Sequence, residues 1–149
     1  MRTPTIFVDA DACPVKEEIY RVARRTGCPV QVVANSFMRV PPDVTLTVVD
    51  AGPDAADDWI AERVQPSDIV VTNDIPLASR VLKVGGAALA ATGKAFTENS
   101  IGAALATRDL MEHLRSVGEG GGGPKPFTQA DRSRFLSALD AAVIKAKRG

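Results

Sequence analysis

The sequence predicts an α/β protein with three layers, α/β/α, around a mostly parallel central sheet, followed by a C-terminal helical extension. Short apolar segments alternate with helical patterns along most of the chain, as they do in βαβ units. These segments are nearly continuous in apolar residues, as in DIVVT at 68–72, which is typical of strands buried on both faces. The length of 149 residues is sufficient for one domain with a sizeable core.

Turn and capping residues delimit the predicted elements. Pro14 opens the first helix, Glu17 and Glu18 favour its positive N-terminal end, and Gly27 ends it. Asp54 suits the N-cap of a second helix. The predicted strands are Thr5–Asp9, Val30–Ala34, Val44–Asp50, Ile69–Thr72 and Ala87–Ala91, and a third helix runs from about Ile75 to Val84.

The C-terminal third of the chain has a different pattern. Residues 99–115 have helical periodicity, and the glycine-rich stretch GEGGGGP at 118–124 predicts a flexible loop. Thr128 then caps a final helix, with Asp131 in a capping-box position. We therefore divide the chain into an α/β domain at 1–117 and a segment at 118–149, whose loop and helix pack on the same domain.

Composition and charge narrow the class of protein. The chain has no apolar run of about 18 residues, so we expect no membrane helix. It has no secretory pattern and only two cysteines, which favours the cytoplasm. The net charge is zero, but residues 1–93 carry a net −3 and residues 94–149 a net +3. This asymmetry fits a metal site on one side and a phosphate-contacting surface on the other.

Acidic residues follow two of the predicted strands. Asp9 and Asp11, in VDADACPV, come at the end of the first strand, and Asp74, in TNDIPLA, follows the fourth. Ligands of parallel α/β sheets bind outside the carboxyl ends of the strands. Asp11 and Asp74 also suit helix N-caps, whereas Asp9 would be a buried, unpaired charge. These positions therefore predict a polar site at this edge of the sheet.

A third acidic cluster, in DAADDWI at 54–60, places Asp57 and Asp58 in the first turn of the second helix. The helix dipole favours acids there, and one of the two borders the face of Trp59 and Ile60. Carboxylates held close together repel unless a cation joins them. Oxygen ligands alone select Mg²⁺ or Mn²⁺, and such ions support phosphodiester hydrolysis. The sequence therefore predicts metal-dependent phosphoryl transfer to water.

Four motifs, VDADACPV, GPDAADDWI, DIVVTNDIPLA and GGGPKPFTQADRSRF, resemble the YaiI/YqxD family of bacterial proteins, which is assigned a PIN-like fold. The resemblance implies a place among PIN-like nucleases, whose acidic residues bind divalent metal and cut RNA or DNA. It implies Asp9, Asp74 and Asp58, or Asp57, as the primary acids. We therefore predict a nuclease with Asp9, Asp58 and Asp74 as catalytic metal ligands, supported by Asp11 and Asp57.

Other polar residues complete the predicted site. Asn35 and Asn73 end strands on the proposed side, where they would orient the acids. Four basic residues are candidates for phosphate contacts, although each also suits a solvated surface. The two that flank the glycine-rich loop are alternatively placed to dock the last helix. The four are Lys16, Arg80, Lys125 and Arg132.

Two alternative functions fit part of the same pattern. A DxD motif at the end of a first strand is also typical of phosphatases in which the first aspartate is the nucleophile, but DADACPV and TNDIPLA fit those motifs poorly. The second alternative is a non-catalytic module in which the acids hold a structural metal and the basic half contacts nucleic acid or protein. The oligomeric state stays open, a homodimer included.

Overall fold

A computed structural model describes residues 3–10, 13–50, 52, 54–103, 106 and 127–148. Five strands form one sheet in the order β3-β2-β1-β4-β5, and neighbouring strands are parallel. The predicted α/β class is therefore confirmed. The strands are β1 (Ile6–Asp9), β2 (Val30–Ala34), β3 (Val44–Val48), β4 (Ile69–Val71) and β5 (Ala87–Leu89), and the helices are α1 (Lys16–Thr26), α2 (Ala55–Arg63), α3 (Ile75–Lys83) and α4 (Gln129–Arg148).

Alternate residues of the central strand β1 face two different layers of helices. Ile6 and Val8 belong to a core cluster with α1 and α4, whereas Phe7 belongs to a second cluster with α2 and α3. Because side chains alternate along a strand, Asp9 follows Phe7 on the side of α2 and α3. The sheet is thus covered on both faces, as predicted.

The ends of two helices test the predicted capping residues. Gly27 ends α1 in the left-handed conformation, with a φ of 76°, as predicted. Thr128 and Asp131 form the predicted capping box: Asp131 donates its N–H to the Thr128 hydroxyl at 3.1 Å and accepts the Thr128 N–H at 2.9 Å. Helix α1 begins at Lys16, so the prediction that Pro14 opens it is two residues early.

Helix α4 packs against α1 and against the turn after β5. Its residues Phe135, Leu139 and Val143 are fully buried. Gly93, with a φ of 89°, lies so close to α4 that a Cβ there would be 2.8 Å from the Arg134 backbone. That turn therefore requires glycine for both conformation and space.

Two predicted C-terminal features extend beyond the described part of the chain. Residues 98–103 are helical, but the rest of the predicted 99–115 helix is described only at residue 106. The glycine-rich stretch 118–124 lies outside the described residues, and the boundary between 117 and 118 stays a prediction. Among the described helices, none is both long and apolar enough to cross a membrane.

A partly buried ion pair holds α4 to the start of α1. Arg132 Nη1 donates to the Pro14 carbonyl at 2.7 Å and to Glu18 Oε1 at 2.8 Å. The Glu18 side chain is only 10% exposed, and its Oε2 has no hydrogen-bond partner among the described residues. Arg132 is therefore the main compensation for a buried negative charge, which corresponds to the helix-docking alternative raised for it.

We predict that Arg132→Ala lowers the free energy of unfolding by about 2–3 kcal/mol, because it leaves the Glu18 carboxylate buried without its partner. The control is Arg25→Ala, which removes another α1–α4 ion pair, from Arg25 to Asp140 at 2.7 Å. Both side chains of that pair are more than a third exposed, so its loss costs less than about 1 kcal/mol. Urea unfolding monitored by circular dichroism measures both values, and equal losses would contradict the buried-charge argument.

Candidate functional site

The order of the strands creates a crevice between β1 and β4. Helix α1, which follows β1, packs on one face of the sheet, whereas α3, which follows β4, packs on the other. The two connections therefore leave the carboxyl edge in opposite directions. Ligands of open α/β sheets bind at such a switch point, and Asp9, Thr72 and Asp74 all lie there.

Thr72 connects the acid that ends β1 to the start of α3. Its side chain is buried, and its hydroxyl donates to Asp9 Oδ2 at 2.8 Å. The Thr72 hydroxyl oxygen also accepts the backbone N–H of Asp74 at 3.0 Å. Asp9 is therefore held by a neighbouring strand. Thr72 was not among the predicted site residues, although a hydroxyl residue between a buried strand and an acid was a usable signal.

Asp74 combines a structural contact with a contact to a second acid. Its Oδ1 accepts the Leu77 N–H at 2.8 Å and so caps α3, which confirms the capping alternative for this residue. Its carboxyl group is also hydrogen-bonded to that of Asp57. Burial, the negative charges of Asp74 and Asp9, and this hydrogen bond raise the pKa of Asp57 from 3.8 to about 7. Asp9, Asp57 and Asp74 are called the acid cluster below.

Asp58 lies on a different face of α2. Its Oδ1 is 2.7 Å from Arg80 Nη1, and both side chains are about half exposed. Ala56 and Ile60 are the buried residues of α2. At about 100° per residue, Asp57 lies beside the stripe they define and Asp58 lies nearly opposite to it. The structure therefore brings Asp57, and not the predicted Asp58, to Asp9 and Asp74.

Asp54 is the N-cap residue of α2, as predicted. Its side chain, however, makes no capping hydrogen bond. Its charge contributes instead to the raised pKa of Asp57. The Asp54 carboxylate therefore adds negative charge near the acid cluster and does not cap the backbone N–H groups of the first turn of α2.

The two predicted asparagines lie near this edge in different environments. Asn73 Oδ1 accepts the backbone N–H of Ala91 at 3.3 Å and so links the β4–α3 connection to the turn after β5. Asn35 follows the last residue of β2, and its Oδ1 is buried without a hydrogen-bond partner among the described residues. Asn73 therefore stabilises the edge, whereas Asn35 keeps an acceptor that lacks a described donor.

The predicted basic residues are mostly engaged by the protein itself. Lys16 Nζ donates to the Cys13 carbonyl at 3.0 Å, Arg80 is paired with Asp58, and Arg132 is held at Pro14 and Glu18. In this conformation their donors bind protein acceptors. Asp11 and Lys125, the other predicted site residues, lie outside the described part of the chain.

The carboxylate oxygens of the acid cluster are suitable ligands for a divalent cation, but their present arrangement does not by itself form a metal site. Within the described residues, no three acidic, histidine or cysteine side chains are arranged to hold a metal ion. Mg²⁺, however, is commonly bound by one or two carboxylates, with water and substrate phosphate completing its coordination. The hydrogen-bonded Asp57 and Asp74 supply two such carboxylates, so the residues fit an ion of that kind.

Comparison with known proteins gives the family. Residues 7–145 match the family described as "Uncharacterized BCR, YaiI/YqxD family". The chain belongs to this family. The resemblance seen in the four sequence motifs is thereby confirmed, and the match extends from β1 through most of α4.

Curated members of the YaiI/YqxD family are similar to this chain over nearly its whole length. A "UPF0178 protein" of Caulobacter sp. (strain K31) is 63% identical over 145 residues, which are 96% of each chain. A "UPF0178 protein" of Rhodopseudomonas palustris (strain BisB18) is 60% identical over 149 residues, 98% of this chain and 96% of its own. One of Sphingopyxis alaskensis is 60% identical over 152 residues, 100% of this chain and 99% of its own. These names assign no activity.

We predict that Asp57→Asn stabilises this YaiI/YqxD protein in metal-free buffer, because the neutral amide removes repulsion from Asp74 and Asp9. Since folding raises the pKa of Asp57 from 3.8 to about 7, the wild-type free energy of unfolding falls as pH rises through that window. The variant should therefore gain about 1–2 kcal/mol near pH 8, after allowance for solvent screening, and almost nothing near pH 4. Denaturant unfolding with a chelator at both pH values measures the gain.

The neighbouring Asp58→Asn variant is the matched control. It removes an exposed pair with Arg80, so it should destabilise the protein by less than about 1 kcal/mol. The loss of unfolding free energy in Asp58→Asn should not change as the pH passes through the pKa of Asp57. A pH-independent effect of Asp57→Asn, or the same pH profile in both variants, would contradict the assignment of Asp57 to the acid cluster.

Proposed function

We propose that the protein is a divalent-metal-dependent nuclease that hydrolyses phosphodiester bonds of RNA or DNA at the acid cluster. The observation that carries this proposal is the convergence of three carboxylates from β1, α2 and the start of α3 at the switch point of a parallel sheet. Carboxylates in contact are costly, and structures that keep them commonly use them to bind a cation or to move a proton. An oxygen-only set favours Mg²⁺ or Mn²⁺.

In this proposal Asp57 and Asp74 hold the ion, and Asp9, fixed by Thr72, borders it. Asp57 replaces Asp58 as the acid contributed by α2. A bound ion supplies charge for the developing oxyanion and lowers the pKa of a water molecule. The cluster itself repels a phosphodiester, so the protein needs positive groups nearby. Lys16 and Arg80 on the adjoining helices are candidates, and Arg80 would first have to leave Asp58.

A reducing, cytoplasmic location is part of the same proposal. Cys13 and Cys28 are both free and buried, and free thiols persist where the compartment keeps them reduced. RNA and DNA are present in that compartment in bacteria.

The first test is a calorimetric titration of Mn²⁺ into the wild type, Asp57→Asn and Asp58→Asn. The proposal expects wild-type binding in the micromolar range, at least about tenfold weaker binding in Asp57→Asn, and nearly unchanged binding in Asp58→Asn. Asp57 is more informative than Asp74, because a change at Asp74 also removes the cap of α3. Equal binding by all three proteins would place any metal elsewhere.

The second test is hydrolysis of labelled RNA and DNA with Mn²⁺, with the same variants and a chelator control. A nuclease loses at least about a hundredfold in rate in Asp9→Asn and Asp57→Asn and keeps its rate in Asp58→Asn. Metal binding without cleavage of either polymer would favour the binding-module alternative. Hydrolysis of a small chromogenic phosphate monoester, with no cleavage of polymers, would favour the phosphatase alternative.

A further inference from the structure

The two edges of the sheet are protected to different degrees. At the β5 edge the chain turns back, so that Ala95 pairs with Leu89, and Phe96 donates its N–H to the Ala88 carbonyl at 2.9 Å. At the opposite edge β3 pairs only with β2, and no described segment pairs with its outer side. Within the described residues, β3 is therefore the open edge of the sheet.

The backbone groups on the outer side of β3 belong to alternate residues. Val49, which follows β3, donates its N–H to the Ala34 carbonyl of β2 at 2.9 Å. The N–H and C=O groups of successive residues point to opposite sides of a strand, so those of Leu46 and Val48 point away from β2. The described residues offer these groups no hydrogen-bond partner. Unpaired groups of this kind are a template for a further strand.

Strand β3 also lacks the features that commonly prevent pairing at an edge, which are a lysine, a proline or a bulge. Its sequence, VTLTV, contains no charged residue and no proline, and its register with β2 is continuous. Val44 and Leu46 pack in the core cluster with α1 and α4, whereas Val48, on the same face, is 50% exposed. The apolar face of β3 therefore continues to the surface at the end of the strand.

We propose that β3 pairs with β3 of a second copy of this chain, antiparallel, about a two-fold axis at Leu46. The sequence VTLTV reads the same in both directions. Pairing about Leu46 therefore places Thr45 opposite Thr47 and Val44 opposite Val48, so that every side chain lies opposite one of its own residue type. Threonine pairs of this kind stabilise antiparallel strands. The dimer has one continuous sheet, and the exposed Val48 is covered by Val44 of the other copy.

The outward backbone groups fit the same register. Leu46 exchanges two backbone hydrogen bonds with Leu46 of the other copy, and the Val48 N–H donates to the Val44 carbonyl of the other copy. The Val44 N–H keeps its own bond to the Pro41 carbonyl, at 3.0 Å. The pairing thus uses the donors that β3 leaves without a described partner and breaks none that is already made.

Charge and interface size set the expected strength of this dimer. The register brings Asp50, beyond the end of β3, beside Asp43 of the other copy. Arg24 Nε lies 3.0 Å from Asp43 Oδ2, so a guanidinium is present where the two acids meet. An interface built on one short strand belongs to the small class, below about 1,200 Å² in total, that gives weak complexes. We therefore expect a dissociation constant of about 1–100 μM.

The first test measures molar mass by sedimentation equilibrium at protein concentrations from about 1 to 500 μM. The mass should rise with concentration from that of one chain towards that of two. Val48→Lys should stay monomeric, because it places a charge opposite Val44 of the other copy, and it should keep the monomer fold, because the side chain is half exposed. The control, Ile144→Lys, adds the same charge on α4 at a residue that is 46% exposed and should dimerise like the wild type.

Cysteine cross-linking tests the register. Thr45→Cys and Thr47→Cys proteins are oxidised with diamide, each alone and as a mixture. A disulfide requires Cα atoms within about 4.4–6.8 Å, which directly opposite residues satisfy, so the mixture should form a linked dimer. Neither variant should do so alone, because its introduced cysteines lie two positions out of register. The native Cys13 and Cys28 are buried and are present in every sample.

Three results would overturn this inference: a wild type that stays monomeric at every concentration, a Val48→Lys protein that dimerises like the wild type, or cross-linking of a single variant as efficient as that of the mixture. The first would show that no second copy pairs with β3, the second would place the dimer interface elsewhere, and the third would indicate another register. None of these measurements uses Mn²⁺ or nucleic acid, so the dimer and the proposed nuclease stand or fall separately.

Discussion

The contact between the carboxyl groups of Asp57 and Asp74 is the constraint on which the rest of this edge depends. Burial of Asp57, together with the negative charges of Asp74 and Asp9, opposes its ionisation, so that the pKa of Asp57 reaches about 7. An arrangement of this kind lowers stability at neutral pH unless a proton or a cation occupies it. Asp68 is a useful contrast at the opposite end of the sheet. It is buried, but its two carboxyl oxygens accept backbone N–H groups from Thr5 and Gln65 at 3.0 and 2.9 Å, so both are satisfied by hydrogen bonds.

The fold holds the acid cluster with contacts that are themselves structural. Thr72 joins the ends of β1 and β4 through Asp9 and the Asp74 backbone, and Asp74 caps α3. Substitution of either residue would therefore change both local structure and chemistry. Asp57 is different, because it lies in the first turn of α2 and no cap of that helix depends on it. The chemical role of Asp57 is therefore the easiest of the three to separate from the local structure of a helix.

Much of the fold was predictable, because its signals are local. The strands are short apolar segments between turn residues, and Gly27, Thr128 and Asp131 occupy positions with strong backbone preferences. The choice between Asp57 and Asp58 is harder to predict, because the sequence pattern places Trp59 on the buried face with Ile60. In the structure Trp59 is only partly buried: its ring meets Phe7 edge-on, with centroids 6.4 Å apart, and Arg63 lies over it at 4.1 Å. An amphipathic ring of this kind lies at the border of a helix face. If Trp59 is left out of the buried face, the stripe defined by Ala56 and Ile60 lies closer to Asp57 than to Asp58 and therefore indicates Asp57. The contact between Arg132 and Glu18 was not predictable for a different reason: it joins residues 114 positions apart in the sequence, and no local pattern encodes such a separation.

That separation has a consequence for the synthesis of the protein. One face of the sheet is completed only when Phe135, Leu139 and Val143 of α4 pack onto it, and these residues emerge from the ribosome after all five strands. Until then a nascent chain would expose the apolar residues of α1 and β5 that α4 helps to cover. Contacts between distant parts of a chain also form slowly, and partly folded chains with exposed apolar surface are prone to aggregation. A premature stop codon before residue 129 would therefore leave a polypeptide that contains every residue of the acid cluster but has an open core, which makes it a target for chaperones and proteases rather than a smaller folded protein.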